Sequence, residues 1–503
     1  MQLERKIQER GETAVQLKQL LVNVNPTQVH APLDLEISAV CYDSRKAKPG
    51  CLFVAISGFA ADGMAFIPAA VAAGAAAVVC ERVPETDVPY ILVENARSAL
   101  AYLSDTWFGH PTGELKVIGV TGTNGKTTVT YLIKSILEQT ENTRVGLIGT
   151  IQNMIGDQVL ETERTTPESY ELQKLFRSMA DAGCGYAVME VSSHALSLGR
   201  VDGVDFAVGV FTNLTEDHLD FHKTMEAYGD AKAELFARCP VSILNRDDPA
   251  WTKMRDHAAG TVYTYSTLDD RADLVAKNIR LKSSKVEMEA VIGNDICRLE
   301  LGIPGQFSVY NALSAVMTVM ALGIDLHQAA AALHNAKGVK GRAEVVPTPG
   351  CDFTILIDYA HTPDGLENVL RCVKGFAKGR TVVLFGCGGD RDPIKRPIMG
   401  AIAAQIADYV VVTSDNPRTE EPGEIIRQIL EGMKDTKTPY TVIENRREAI
   451  AWVMDHALPD DVIVLAGKGH ETYQILGHEK THLDEREEVA AHLEQMKNKE
   501  TME

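Results

Sequence analysis

A chain of 503 residues with a formal net charge of -19 has a field that opposes nucleic-acid phosphates and anionic bilayers, so neither is expected as a partner. Its length predicts two to four domains, and its 45% hydrophobic and 6% aromatic content is that of a soluble globular protein. The nine cysteines are dispersed with no C-x-x-C pair, which argues against a disulfide framework or a structural zinc module and fits a reducing cytoplasm.

Along the chain, MQLERKIQER lacks the apolar core of a signal peptide, and the alanine-rich run near 65–80 contains Pro68 and Gly74 and is too short for a membrane span. Residues 39–58 suggest two short strands around a charged turn, followed by a helix broken at Gly74 and a further strand. From Lys116 the pattern changes to KVIGV, a Gly/Thr loop and the helical run TTVTYLIKSILEQT. Apolar strands at 186–190, 207–212 and 241–245 continue the alternation expected of a mostly parallel sheet with crossover helices. Residues 273–303 are strand-rich, NALSAVMTVMALGIDLHQAAAAL is helical, and HNAKGVKGRAEVV reads as a boundary. Beyond it TILIDYA, TVVLFG, YVVVT and DVIVLAG are four strands of a second, doubly wound α/β domain.

The stretch KVIGVTGTNGKTTVT carries the strongest local chemistry. Gly122 and Gly125 let backbone N–H groups of Thr123 and Asn124 curl round phosphates, Lys126 neutralises the oxygens, and Thr127 or Thr128 opens a helix with a hydroxyl in reach of magnesium. Val120 stands where the common formula has its first glycine, which marks a variant. Glu190 ends a predicted strand, where a carboxylate can face this loop as a magnesium ligand; Ser192, Ser193 and Arg200 follow. Asp217, His218, Asp220 and His222 invite a zinc reading, but without a thiolate, oxygen-rich magnesium coordination with one imidazole fits better. As an ammonium Lys232 would repel a metal; as a carbamate it would become an anionic ligand. In TSDNPRTE, Asp415, Asn416, Pro417 and Arg418 form a turn in which a guanidinium fork suits a carboxylate and Asn416 suits either a carboxylate or an ammonium.

The ordered set GVTGTNGKTT, TTPES, EVSSHAL, TNLTEDHLDFH, GDAKAELF, YNALSA, GRAE, DYAHTPD, GCGGDRDPIKRP, DNPR and GKGHE resembles the Mur ligases, from about Asp43 to Glu471. These are ATP-dependent amide ligases of cell-wall precursor synthesis, and the likeness is greatest to the branch that adds meso-2,6-diaminopimelate to UDP-N-acetylmuramoyl-L-alanyl-D-glutamate (UDP-MurNAc-L-Ala-D-Glu). The resemblance implies three α/β domains: 1–96 for the UDP substrate, 97–338 as a central P-loop ATPase-type parallel-sheet domain, and 339–503 as a Rossmann-like domain for the amino acid. It gives Ser44 to the UDP portion, and Thr165, Thr166, Ser193 and Arg200 to the muramoyl peptide. Thr127, Glu190, His218 and a carbamylated Lys232 would organise Mg2+, with Lys126 on the transferred phosphoryl group. Asn311, Arg342, Asp358, Tyr359 and His361 fall to the adenylate side; Arg391, Asn416, Arg418, Gly467 and Glu471 fall to diaminopimelate, with Asp415 and Pro417 shaping the turn. A monomeric cytoplasmic enzyme is expected. The competing expectations are a lysine-adding Mur ligase, a folylpolyglutamate synthetase-like ligase and a non-catalytic nucleotide switch.

Overall fold

A computed structural model of the chain describes residues 14–58, 62–162, 164–282, 284–336 and 338–502, with side chains to residue 497. Two compact units are present: the described residues up to Leu274 with Ser314–Asp325, and Val275–Leu313 with the described residues from Leu326 onward.

The first unit begins with a five-stranded sheet in the order Gln28–His30, Tyr90–Leu92, Ala77–Cys80, Cys51–Val54, Ala39–Cys41. Only the Gln28–His30 edge is antiparallel. The two strands expected in 39–58 are thus parallel neighbours, joined through the short 3-10 turn Ser44–Lys46. Strand alternation sends Leu52, Val54 and Val79 to one face, against Leu100 and Leu103 of helix Ala96–Trp107, and Phe53, Val78 and Cys80 to the other. Asn95 caps that helix by accepting from the N–H groups of Arg97 and Ser98.

The same unit holds a run of strands in the order Gln158–Leu160, Asn153–Ile155, Arg144–Ile148, Cys184–Glu190, Lys116–Thr121, Phe206–Phe211, Val241–Asn245, Thr261–Ser266. From Arg144–Ile148 onward every pairing is parallel. Strand Lys116–Thr121, buried from its second residue, lies in the interior of this run and delivers its C-terminal end into the Gly/Thr loop and helix Lys126–Glu141. Arg144–Ile148 and the antiparallel hairpin beside it were not anticipated, because RVGLI is too short to separate from a buried helix by periodicity.

In the second unit, Val286–Ile292 pairs antiparallel with strands on either side, and helix Leu326–His334 packs on Asp295–Leu301. The helical run predicted from Asn311 onward is two helices, Gln306–Ala321 and Leu326–His334, separated at Gly323 with φ +102°. A six-stranded sheet follows, ordered Glu344–Val346, Thr354–Asp358, Val462–Ala466, Thr381–Phe385, Tyr409–Val412, Tyr440–Val442, parallel except at its first edge. It is doubly wound: Leu356, Val383, Phe385 and Val464 meet helices Pro363–Lys374, Lys395–Ile406 and Pro422–Glu431, while Ile357, Leu384 and Leu465 meet Arg446–Asp455 and Glu485–Met502. Each such buried aliphatic contributes about 1.5–3 kcal/mol, so the four expected strands are fixed by burial on both faces. The C-terminal helix is tied in by Arg446 and Glu485, both fully buried, with Arg446 Nη2 2.7 Å from the Glu485 carboxylate; the same nitrogen donates to the Ala466 carbonyl at 2.9 Å. No helix among the described residues is long and apolar enough to cross a membrane, and none of the nine cysteines is in a disulfide.

Candidate active site

The loop after Lys116–Thr121 is built on two glycines with positive φ, Gly122 at +146° and Gly125 at +88°. A Cβ on Gly122 would lie 1.9 Å from Thr212 Oγ1, so the loop approaches the end of the neighbouring strand too closely for any side chain. That strand end braces it: Thr212 Oγ1 donates to the Asn124 carbonyl at 2.6 Å, and Asn213 Oδ1 accepts from the Asn124 N–H at 2.9 Å. Val120 is fully buried within the strand, so the loop proper starts at Gly122 and the non-standard spacing leaves its backbone cradle intact. Lys126 Nζ donates to the carbonyls of Gly122 and Thr123 at 2.9 and 2.8 Å, and Thr127 and Thr128 open the helix.

Glu190 is registered with Val120 on the adjacent strand and reaches the helix start: Thr127 Oγ1 donates to Glu190 Oε1 at 3.0 Å. The carboxylate also accepts from the Thr150 N–H and hydroxyl at 2.8 and 3.0 Å, and Thr150 contacts Thr165 Oγ1 at 3.0 Å. Threonine hydroxyls around one carboxylate are hard oxygen donors, the chemistry magnesium selects. Thr150, absent from the sequence reading, sits on the unrecognised strand's exit.

Lys232 is 1% exposed, donates to the Gly122 carbonyl at 2.8 Å and lies 4.4 Å from the Tyr228 ring centroid. Burial, followed by the charge of Lys126, lowers its pKa well below the usual lysine value. Tyr228, also missed, joins the group: its hydroxyl is 3.2 Å from Thr123 Oγ1 and its ring is edge-on to His218. The signal was available, since Tyr228 and Lys232 are one helical turn apart in Met225–Ala233.

His218 has φ +54° and a half-exposed ring, 3.4 Å from Asp217 and edge-on to His194; it is hydrogen-bonded to neither Thr127 nor Glu190. His222 is buried and 2.9 Å from Ser193 Oγ, and burial plus the charges of His194 and His218 lower its pKa to about 4. Among the described residues no three His, Cys, Asp or Glu side chains converge to hold a metal ion, and the rings of His218 and His222 pack edge-on against His194.

On the peptide side, Thr166 Oγ1 donates to the Glu190 carbonyl at 2.8 Å and accepts from the Ser192 N–H, while Arg200 donates to the Thr166 carbonyl at 3.2 Å. Arg200 and Arg97 both pair with the buried Glu168. Half-buried Ser44 opens the 3-10 turn capped by Asp43, and the nearby Tyr42 hydroxyl donates to Glu171 at 2.8 Å, tying this turn to helix Ser169–Asp181.

In the second unit the predicted residues form two clusters. Arg342 stacks over Tyr359, the Asp358 carboxylate accepts from the Ala343 N–H at 2.7 Å, and His361 Nδ1 is 2.8 Å from the Tyr359 carbonyl. Burial raises the Asp358 pKa. Asn311 lies buried in helix Gln306–Ala321.

The other cluster joins three loops at strand C-termini: 386–391, 413–418 and 467–471. A Cβ on Gly389 would sit 1.8 Å from the Pro417 carbonyl, and Arg418, at φ +53°, donates to the Gly389 carbonyl at 2.8 Å. Arg396, 1% exposed, donates to Glu420 and to the Gly388 carbonyl, while Glu420 accepts from the Asp390 N–H; this brace was missed because Glu420 lies 24 and 30 positions from the two residues it holds. Asn416 Nδ2 donates to Glu471 Oε2 at 2.9 Å, and Lys468 Nζ reaches Asn416 Oδ1 and Glu471 Oε2 at 3.3 and 3.1 Å. Asp415 Oδ2 is buried with no hydrogen-bond partner, and a Cβ on Gly467, at φ +111°, would lie 2.8 Å from it. Arg391 is exposed and donates to the Asp390 carbonyl.

Three family descriptions match in chain order: Mur ligase family, catalytic domain, over residues 36–107; Mur ligase middle domain over 120–319; and Mur ligase, glutamate ligase domain, over 341–469. The chain is 51% identical over 459 residues to the UDP-N-acetylmuramoyl-L-alanyl-D-glutamate--2,6-diaminopimelate ligase of Caldanaerobacter subterraneus subsp. tengcongensis, covering 91% of this chain and 94% of that one. It is 46% identical to the Clostridium acetobutylicum protein of that name, numbered 1, over 96% of this chain and all of that one. A solved structure of such a ligase superposes with a TM-score of 0.73 at 31% identity, covering 96% of this chain and 99% of that one.

Proposed function

The chain belongs to the Mur ligase family, and from that premise we propose that it is the ATP-dependent ligase joining meso-2,6-diaminopimelate to UDP-MurNAc-L-Ala-D-Glu. The observation that carries this reading is the three-loop cluster of Asn416, Arg418, Lys468 and Glu471, in a chain half identical to a diaminopimelate ligase over almost its whole length. We assign 1–96 to the UDP end of the substrate, 97–338 to ATP and 339–503 to the amino acid. The reaction belongs in the cytoplasm, in a monomer acting on these small molecules and on no nucleic acid.

The substrate's D-glutamyl carboxylate attacks the γ-phosphorus of ATP, giving an acyl phosphate and ADP; the diaminopimelate amine then attacks the acyl carbon and phosphate leaves. The backbone amides of 122–125 and the start of helix Lys126–Glu141 bind the phosphates. Lys126 exchanges its loop carbonyls for the transferred phosphoryl oxygens and offsets their charge. Arg200 and Thr166 orient the peptide carboxylate, with Thr165 and Ser193 beside them and Ser44 toward the UDP end. Asn311, Arg342, Asp358 and His361 belong to the adenylate side. The oxygen-rich Thr127–Glu190 contact fits magnesium, which supplies charge neutralisation when bound; Thr127, Glu190, His218 and Lys232 would hold it. A buried lysine with a lowered pKa is available as the neutral amine that adds to carbon dioxide, forming an N–C bond and losing a proton to give a carbamate. Arg418 and Asn416 read the distal carboxylate and Glu471 an ammonium, with Arg391, Asp415, Pro417 and Gly467 shaping the pocket.

The test is a panel of meso-diaminopimelate, its stereoisomers and L-lysine, read by phosphate release and product mass. Selective formation of the meso-diaminopimelate tripeptide is expected; ATP turnover without any ligated product would overturn the reading.

A further inference from the structure

Lys468 is fully buried, between Gly467 and Gly469, both in left-handed backbone. A Cβ at Gly469 would lie 2.6 Å from the Tyr359 side chain, so the loop is held at both ends and the lysine's direction is set by the backbone. A buried ammonium persists only where it is paired. Its hydrogen-bond partners are the Asn416 amide oxygen and Glu471 Oε2, two side chains assigned above to the incoming amino acid, and its Nζ is 5.6 Å from the Tyr473 ring centroid.

This pairing settles which way the Asn416 amide faces. Oδ1 accepts from the Ile475 N–H at 2.9 Å as well as from Lys468, and Nδ2 donates to Glu471 Oε2. Turned over, the amide would set its NH2 against two donors and its oxygen against a carboxylate, losing all three bonds. The hydrogen that Asn416 has left to offer is therefore an N–H, which reads a carboxylate oxygen and repels an ammonium. Glu471 Oε2 accepts from both Asn416 and Lys468, and a carboxylate so held keeps acceptor capacity for a substrate ammonium.

We propose that Lys468 is a positioning residue that sets the polarity of the amino-acid clamp, holding Asn416 as a donor to the distal carboxylate of the substrate and Glu471 as the acceptor for its ammonium. The inference rests on the diaminopimelate reading above and deepens it. L-Lysine has no carboxylate at its far end, so it leaves the Asn416 N–H without the acceptor it is held to meet.

The experiment measures ligation by the full chain and by Lys468→Met, which keeps length and removes the donor, with meso-diaminopimelate and L-lysine each varied. In the variant the KM for diaminopimelate rises about 10–100-fold, as for loss of hydrogen bonds to a charged group, while kcat falls less than about threefold. The KM values for ATP and UDP-MurNAc-L-Ala-D-Glu stay within about twofold, and the preference over L-lysine falls about tenfold or more. An unchanged diaminopimelate KM, or equal weakening of all three substrates with a fall in kcat, overturns the proposal, the latter being the mark of a merely structural lysine. Asn416→Asp covers a variant that fails to fold, because it keeps an acceptor for Lys468 and the Ile475 N–H but has no N–H to offer. A wild-type KM for diaminopimelate in Asn416→Asp overturns the donor assignment, and a rise of about tenfold or more supports it. If the unsubstituted chain ligates no diaminopimelate, the functional reading falls and takes this inference with it; an active wild type beside an unaffected Lys468→Met overturns the inference alone.

Discussion

On the assignment proposed above, the phosphate loop offers main chain to its anion, in seven consecutive residues, 122–128, whereas the amino-acid clamp offers side chains gathered from three loops some 25 to 50 positions apart in sequence. The two differ in what each must distinguish. A triphosphate would be gripped for its charge, which repeated N–H groups and one lysine supply. Diaminopimelate must be told from lysine by one carboxylate, which needs donors and acceptors fixed in known directions. Lys126 is therefore bonded to carbonyls it can relinquish, and Lys468 is locked to side chains it must orient.

The largest expected effect removes charge from the first region: Lys126→Ala lowers kcat for ligation about a thousandfold, read as tripeptide formed, with the KM for diaminopimelate unchanged within about threefold. Arg418→Ala tests the second region; it lowers kcat/KM for meso-diaminopimelate about a hundredfold in competition with L-lysine, while ATP binding by calorimetry is retained. A paired backbone test sharpens the contrast, since Gly122→Ala and Gly389→Ala each place a Cβ within 2 Å of a fixed oxygen. Gly122→Ala raises the KM for ATP alone and Gly389→Ala the KM for diaminopimelate alone, each about tenfold, and a common rise in both variants would break the separation. The smallest effect is on stability. Arg396 holds the Glu420 carboxyl below its ordinary value of 4.5, so the stabilisation is complete above that pH and is lost as pH falls through the lowered value. Glu420→Gln lowers stability by about 1–2 kcal/mol at pH 7, and the gap in unfolding temperature from wild type closes as the solution is acidified through the lowered value.

The contrast also explains what the sequence made legible. The strand, loop, lysine and helix of the nucleotide site are contiguous, so their chemistry could be read in place, and Glu190 followed because the strand before it is strongly apolar. The doubly wound C-terminal sheet was legible for the same reason, through four strands buried on both faces; its edge strands Glu344–Val346 and Tyr440–Val442, short and half exposed, were not. In the clamp, the turn chemistry of TSDNPRTE pointed to Asn416, whereas Glu471 was reachable only through resemblance to a family. Lys468 and the Arg396–Glu420 brace escaped, because a lysine between glycines or an arginine in a helix has no local sign of being buried. The rings of His218 and His222 both meet His194 edge-on, a contact between residues more than 20 positions apart that the local density of DHLDFH does not reveal.

The buried Arg446–Glu485 pair has a consequence beyond anchoring a helix. Its guanidinium also holds the carbonyl of Ala466, the residue just before Gly467 and Lys468, so the register of Glu485–Met502 is transmitted to the spot where the amino-acid clamp begins. Selectivity thus has a remote foundation: the last helix, which contributes none of the clamp's side chains, sets the footing on which the discriminating loop stands.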